Sequence, residues 1–189
     1  MLGLGNGIPT GSAGDQLLVS YIDTFSSTSD DGWDFWSDQE GGSPNQMSGT
    51  GNVSGGDEGK LFCIFMTNQT NDVGLERTLT SNGVSGDYLV VSYEISVGAA
   101  ANKWGDGSSG NDIPVRTQWG GVTSSATNVA ITDHSAGVVT ISETITATGS
   151  YSGDSNKLIV TFLQADGELP LLGSSITIQN VRAHVYRPI

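Results

Sequence analysis

In the run 88-YLVVSYEISVG-98, Leu89, Val91, Tyr93, Ile95 and Val97 fall on one parity, while Ser92, Glu94 and Ser96 fall on the other. Successive side chains of an extended chain point to opposite faces. The run therefore reads as a strand with one buried and one solvated face. A helix would repeat its apolar residues every three to four positions, and no segment of the chain sustains that period over three turns. The same alternation returns in IPVRTQW, where Ile113, Val115, Thr117 and Trp119 share one face and Arg116 and Gln118 the other.

Working outward, apolar runs of strand length alternate with Gly, Asp, Asn and Ser clusters. Strands are expected at 17–25, 33–37, 60–67, 74–80, 87–97, 113–119, 127–132, 138–147, 157–165 and 174–187. The last carries a parity fault: Ile176 and Ile178 are even, Val181, Ala183 and Val185 odd. A one-residue bulge near Gln179 and Asn180 would return all five to one face. Many short strands and no helix predict an all-β fold, a two-sheet antiparallel β-sandwich of the jelly-roll kind. Residues 1–16 are Gly-rich and without periodicity, so they read as an extended N-terminal arm on a sandwich domain spanning 17–189.

Composition narrows the function. A chain of 189 residues buries roughly 70% of its unfolded surface and needs no disulfide or metal staple. Its net charge is −13, and nine acids precede the first basic residue, Lys60. Phosphate backbones and anionic membranes would repel it, which argues against nucleic acid and membrane partners. The acid excess reads as solubility, with cation binding by the Asp-rich loops as the alternative. Cys63, alone within LFCIFM, reads as a small buried hydrophobe.

Six segments in fixed order carry a resemblance: IDTFSSTSDDGWDFW, GKLFCIFMT, LTSNGVSGDYLVVSYEISVG, VVTISETITATG, NKLIVTFLQAD and SITIQNVRAHVY. Together, over roughly residues 17 to 187, they resemble the jelly-roll carbohydrate-binding modules of families four, nine and twenty-two. Ser26 and Gln179 stand where those modules usually carry Glu and Asp. The resemblance implies a structural calcium near the first and last strands. Asp23 and Asn180 are the residues here that could still hold it, and with two acids replaced no cofactor is expected. It also implies that the Gly-Trp tryptophan, Trp33, packs inward, and parity then takes Phe35 with it. Trp36 is left on the other face. Trp36 and the loop residue Trp104, with the outward Arg116 and Gln118, are the candidate ligand or partner contacts, because large aromatics anchor such interfaces. Trp119 shares parity with Val115 and reads as core.

Catalytic signals are thin, and no catalytic residue or enzyme activity is expected. Glu143 falls among inward Val139, Ile141 and Ile145. A bulge turning it outward is the expectation, and an inward acid is the alternative. His134 and His184 lack a second histidine at ligand spacing, and no G-x-S-x-G elbow occurs.

Three functions follow as expectations. The first is a virion structural protein of a tailed bacteriophage, a capsid decoration or cement protein on the major capsid protein or other virion proteins. It would be made in the host cytoplasm and released by lysis. Its basis is a fold resembling extracellular modules on a chain without a recognisable export signal, together with the opening MLGLGNGI. In this reading Leu2, Leu4 and Ile8 are the apolar handles of a docking arm, and a second copy of the chain is a further possible partner. The alternative is a carbohydrate-binding module, or a tail-associated protein contacting host glycans. The second alternative is a small polysaccharide-degrading enzyme.

Overall fold

The computed structural model describes residues 11–25, 32–37, 60–64, 73–79, 82–99, 112–132, 138–162 and 174–189. These form eleven strands and one short 3-10 turn, Gly153–Asn156.

One sheet is built from β1 (Gln16–Asp23), β3 (Lys60–Ile64), β5 (Tyr88–Ala99), β9 (Val139–Thr146) and β11 (Ser174–Arg187). β11 lies at its centre. β5 runs antiparallel along one edge of β11; along the other, β3 pairs with its first half and β1 with its second. β9 completes the sheet on the far side of β5. The second sheet holds β2 (Trp33–Ser37), β4 (Val73–Thr78), β6 (Asp112–Trp119), β7 (Val122–Thr123) and β10 (Lys157–Phe162), in the order β2-β4-β10-β6 with β7 beside β6. β8 (Thr127–Thr132) belongs to both sheets: its first part pairs antiparallel with β6, and Ile131 and Thr132 pair parallel with Val97 and Gly98 of β5. A strand that changes sheets in this way forms a corner of a sandwich. The fold is all-β, a β-sandwich of jelly-roll type.

The core face of β5 is as its alternation predicts, whereas the other face is only partly solvated, with Val90 and Ser96 buried and Ser92 and Glu94 half-buried. Leu89, Val91, Tyr93 and Ile95 are buried between the sheets with Val115, Trp119, Leu158 and Val160 from the opposite side. Each fully buried aliphatic side chain contributes about 1.5–3 kcal/mol relative to exposure. Trp33 is buried as well, and the bulge in β11 falls where parity requires it, between Gln179 and Arg182. Asn180 absorbs the extra residue in the left-handed region (φ +52°), which Asn tolerates better than most residues.

Glu143 departs from expectation. Its strand pairs with β5 in unbroken register from Val139 to Thr146, so no bulge turns the side chain outward. Glu143 shares the inner face with the buried Ile141 and Ile145 and is half-buried there. The register holds because β5, with its own strict alternation, dictates it pair by pair.

Two polar clamps sit at one end of the first sheet, where β5 begins and β11 ends. Residues 11–15, the end of the stretch read as an arm, lie against it. The Ser12 N–H donates to Tyr88 Oη at 3.0 Å, and the Tyr88 hydroxyl donates to Asp15 Oδ2. Tyr88 stacks on Tyr186 at 5.4 Å, and a Cβ on Gly11 would lie 2.6 Å from the Tyr186 ring. Leu2, Leu4 and Ile8 lie outside the described residues. The second clamp is Asp87, fully buried, which accepts from Val84 N–H at 3.0 Å, Tyr151 O–H at 3.2 Å, and Arg187 Nε and Nη2 at 2.8 Å each. It ties the loop before β5 to the end of the last strand.

Candidate functional site

The outer face of the second sheet gathers the candidate contact residues. At its centre β10 turns Leu158 and Val160 to the core, which leaves Lys157, Ile159 and Thr161 on the other parity. Cross-strand register then lays out two rows. In one, Trp36 is opposite Gly74, Gly74 opposite Thr161, and Thr161 opposite Arg116. In the next, Asp34, Glu76, Ile159, Gln118 and Thr123 follow one another across five strands. Residues as far apart in sequence as Gly74 and Thr161 thus become immediate neighbours. Gly74 has a local reason: a Cβ there would come within 2.3 Å of the Val160 carbonyl oxygen, so the close approach of β4 to β10 needs glycine.

Beside these rows is a concavity of about 240 Å³ lined by Gln118, Trp119, Gly121, Val122, Thr123, Lys157 and Ile159. Its rim is the two-residue hairpin Gly120-Gly121, at φ +59° and +75°, the conformation a tight β-hairpin asks of both central residues. Ser124 secures the hairpin, donating its N–H to the Thr117 carbonyl at 2.8 Å and accepting the Thr117 N–H on Oγ at 3.1 Å. Lys157 Nζ meets Glu76 Oε1 at 2.7 Å, while Arg116 and Asp34 are exposed. Among the described side chains two cations, Lys157 and Arg116, and two anions, Glu76 and Asp34, share this face, around a floor provided by the nearly buried Ile159. The face offers amide, ammonium and guanidinium donors, and carboxylate, amide and hydroxyl acceptors.

Of the four candidate contacts, Arg116, Gln118 and the backbone of Trp36 come together here, whereas Trp104 lies outside the described residues, as do the side chains of Trp36 and Phe35. Glu76, Lys157, Ile159 and Thr123 escaped sequence reasoning. The signal that could have found the concavity is WGGV at 119–122: two glycines between alternating runs mark a hairpin.

The two calcium candidates do not converge. Asp23 is buried, with Oδ1 accepting the Phe25 N–H at 2.7 Å and Oδ2 accepting from the Tyr21 hydroxyl and from Trp33 Nε1 at 3.3 Å. Burial, and then the Asp23 carboxylate, push the Tyr21 phenol above its ordinary pKa, so it stays a proton donor. Asn180 is exposed, and its amide donates to Glu94 Oε2 at 2.9 Å. Among the described residues no cluster of three His, Cys, Asp or Glu side chains is placed to hold a metal. His184 lies on the outer face of the first sheet, its pKa lowered by burial and by Arg182.

No family model and no curated protein matches the sequence. Among solved structures the chain is similar to an arabinose-bound α-L-arabinofuranosidase, MgGH51, at 15% identity and a TM-score of 0.52, over 93% of this chain and 27% of that one. It is also similar to a family 4 carbohydrate-binding module (15% identity, TM-score 0.45, 82% and 94% covered). A third is the N-terminal cellulose-binding domain of Cellulomonas fimi β-1,4-glucanase C (14% identity, TM-score 0.44, 80% and 87% covered). These likenesses are of fold.

Proposed function

We propose that the protein is a non-enzymatic glycan-binding module whose ligand lies across the outer face of the second sheet. One observation carries the reading: strand register brings Trp36 and Arg116 into one row, next to Gln118 and the concavity it lines. A sugar chain presents apolar ring faces and a rim of hydroxyls. By backbone register an aromatic position shares this face with residues that carry amide, guanidinium and carboxylate groups, and those residue types suit both. Hydrolysis of such a chain needs two carboxylates free to flank the bond. Here Glu76 is committed to Lys157, and Asp34 is exposed to solvent.

Binding of the purified protein to a panel of soluble polysaccharides tests the proposal. Trp36→Ala, Arg116→Ala and Gln118→Ala should each weaken binding, Trp36→Ala by about tenfold or more, as for a central aromatic anchor. Ile22→Ser, on the outer face of the opposite sheet, should leave it unchanged. Retained affinity in all three site variants, or release of reducing ends, would refute the reading.

A virion role is a separate question of where such a module works. Nothing in the described residues bears on it, and mass spectrometry of purified particles tests it independently. Alongside the glycan, the major capsid protein would then be the expected partner.

A further inference from the structure

We infer that Glu143 is a gatekeeper: it stops the free edge of β9 from pairing with β9 of a second copy of this chain. Among the described residues β9 pairs with β5 alone, and none of them pairs with the backbone N–H and C=O groups of its other edge. Such an edge recruits strands unless something blocks it. The usual blocks are a bulge, a very short strand, Pro or Lys, or a charge pointing inward. The other edges show some of these. β1 has a register shift between Leu17 and Val19, and β2 has only five residues. β9 has eight residues, VTISETIT, in unbroken register, with no Pro, Lys or Arg. Its strand propensity is high, with six β-branched residues among the eight.

What β9 has is Glu143. The side chain sits on the inner face between Ile141 and Ile145, and its Oε2 is buried with no hydrogen-bond partner among the described residues. An acid costs stability in that position, where Val or Ile would complete the pattern.

The geometry of self-pairing shows what the acid opposes. Two antiparallel copies that keep their inner faces on the same side must pair residues of equal parity. The register overlapping the strand most fully, extended to Ala147, is centred on Glu143. It sets Ile141 against Ile145 of the second copy and Thr140 against its Thr146. Glu143 then faces its own counterpart, with Cβ atoms about 4.5–5.5 Å apart, where like charges are destabilising. Sliding by one pair in either direction puts the carboxylate against Ile141 or Ile145 of the second copy instead. Every long register is thereby penalised by one residue, while the exposed face of Thr140, Ser142, Thr144 and Thr146 would tolerate all of them.

The test is sedimentation velocity and thioflavin fluorescence on the full chain and two variants, Glu143→Val and Glu143→Lys. Glu143→Val should melt no lower than wild type and should associate at concentrations at least about tenfold below those at which wild type does. Glu143→Lys loses the carboxylate but keeps a charge, so it should associate no more than wild type. Two results would overturn the inference. One is Glu143→Val with the association behaviour of wild type. The other is Glu143→Lys associating as strongly as Glu143→Val, which would mean that lost native packing, and not an unblocked edge, drives assembly.

Discussion

Two buried aspartates do different work with the same chemistry. Asp87 is held ionised chiefly by its hydrogen bonds from Arg187, which lower its pKa below the ordinary carboxylate value. A group whose folded pKa is depressed adds stability above the unfolded value, and that stability is lost as pH falls through the folded one. Asp87→Asn should therefore cost about 1–3 kcal/mol at pH 7 by urea unfolding, from donors left poorly matched. The gap to wild type should shrink steadily as pH drops below about 4. An equal gap at pH 3 and pH 7 would show that the charge contributes nothing. Asp23, by contrast, has both oxygens taken by Tyr21, Phe25 and Trp33. A metal bound there at a hundred times its Kd would add about 2.7 kcal/mol of stability. EDTA should leave the melting temperature unchanged, and a drop restored by added calcium would contradict the hydrogen-bond assignment.

At the scale of elements, what could be read in advance was what local alternation controls. Parity alone located the β11 bulge, because Ile178 and Val181 cannot share a face without an extra residue. It also set Arg116 and Gln118 opposite the core residues Val115, Thr117 and Trp119. Glu143 failed because the same rule was overridden: an acid among inward isoleucines suggested a bulge, whereas register with β5 kept the strand regular. Parity is a property of one strand, and register belongs to two. The site shows this most clearly. No local signal sets Trp36 beside Gly74, or Thr161 beside Arg116, since those pairings depend on which strands meet. The sheet-switching β8 was equally hidden, because one six-residue run pairs with two different partners. The packing of residues 11–15 on Tyr88 and Tyr186 was illegible for a related reason: Gly11 looks like part of a linker until the Tyr186 ring it approaches is known.

At the scale of the whole molecule, the charge of −13 sets a field around the proposed binding face. Among the described side chains around the concavity Lys157 and Arg116 offset Glu76 and Asp34, so under the proposed function a neutral ligand would meet little net charge at contact. An anionic polysaccharide must approach through the negative potential of the rest of the surface. That potential is screened over about 10 Å at 0.1 M salt. Two consequences separate contact from field. Affinity for a neutral glycan should change less than about twofold between 0.05 and 0.5 M NaCl, because stacking and hydrogen bonds are only weakly screened. Uronate-rich polysaccharides should not be retained at low salt, since long-range repulsion is strongest there. Isothermal titration across the salt series measures the first, and affinity electrophoresis with embedded polysaccharides the second. Tight, salt-sensitive retention of an acidic glycan would mean that Arg116 and Lys157 act as an anion site, with Glu76 released from its ion pair, and the balanced-face account would fall.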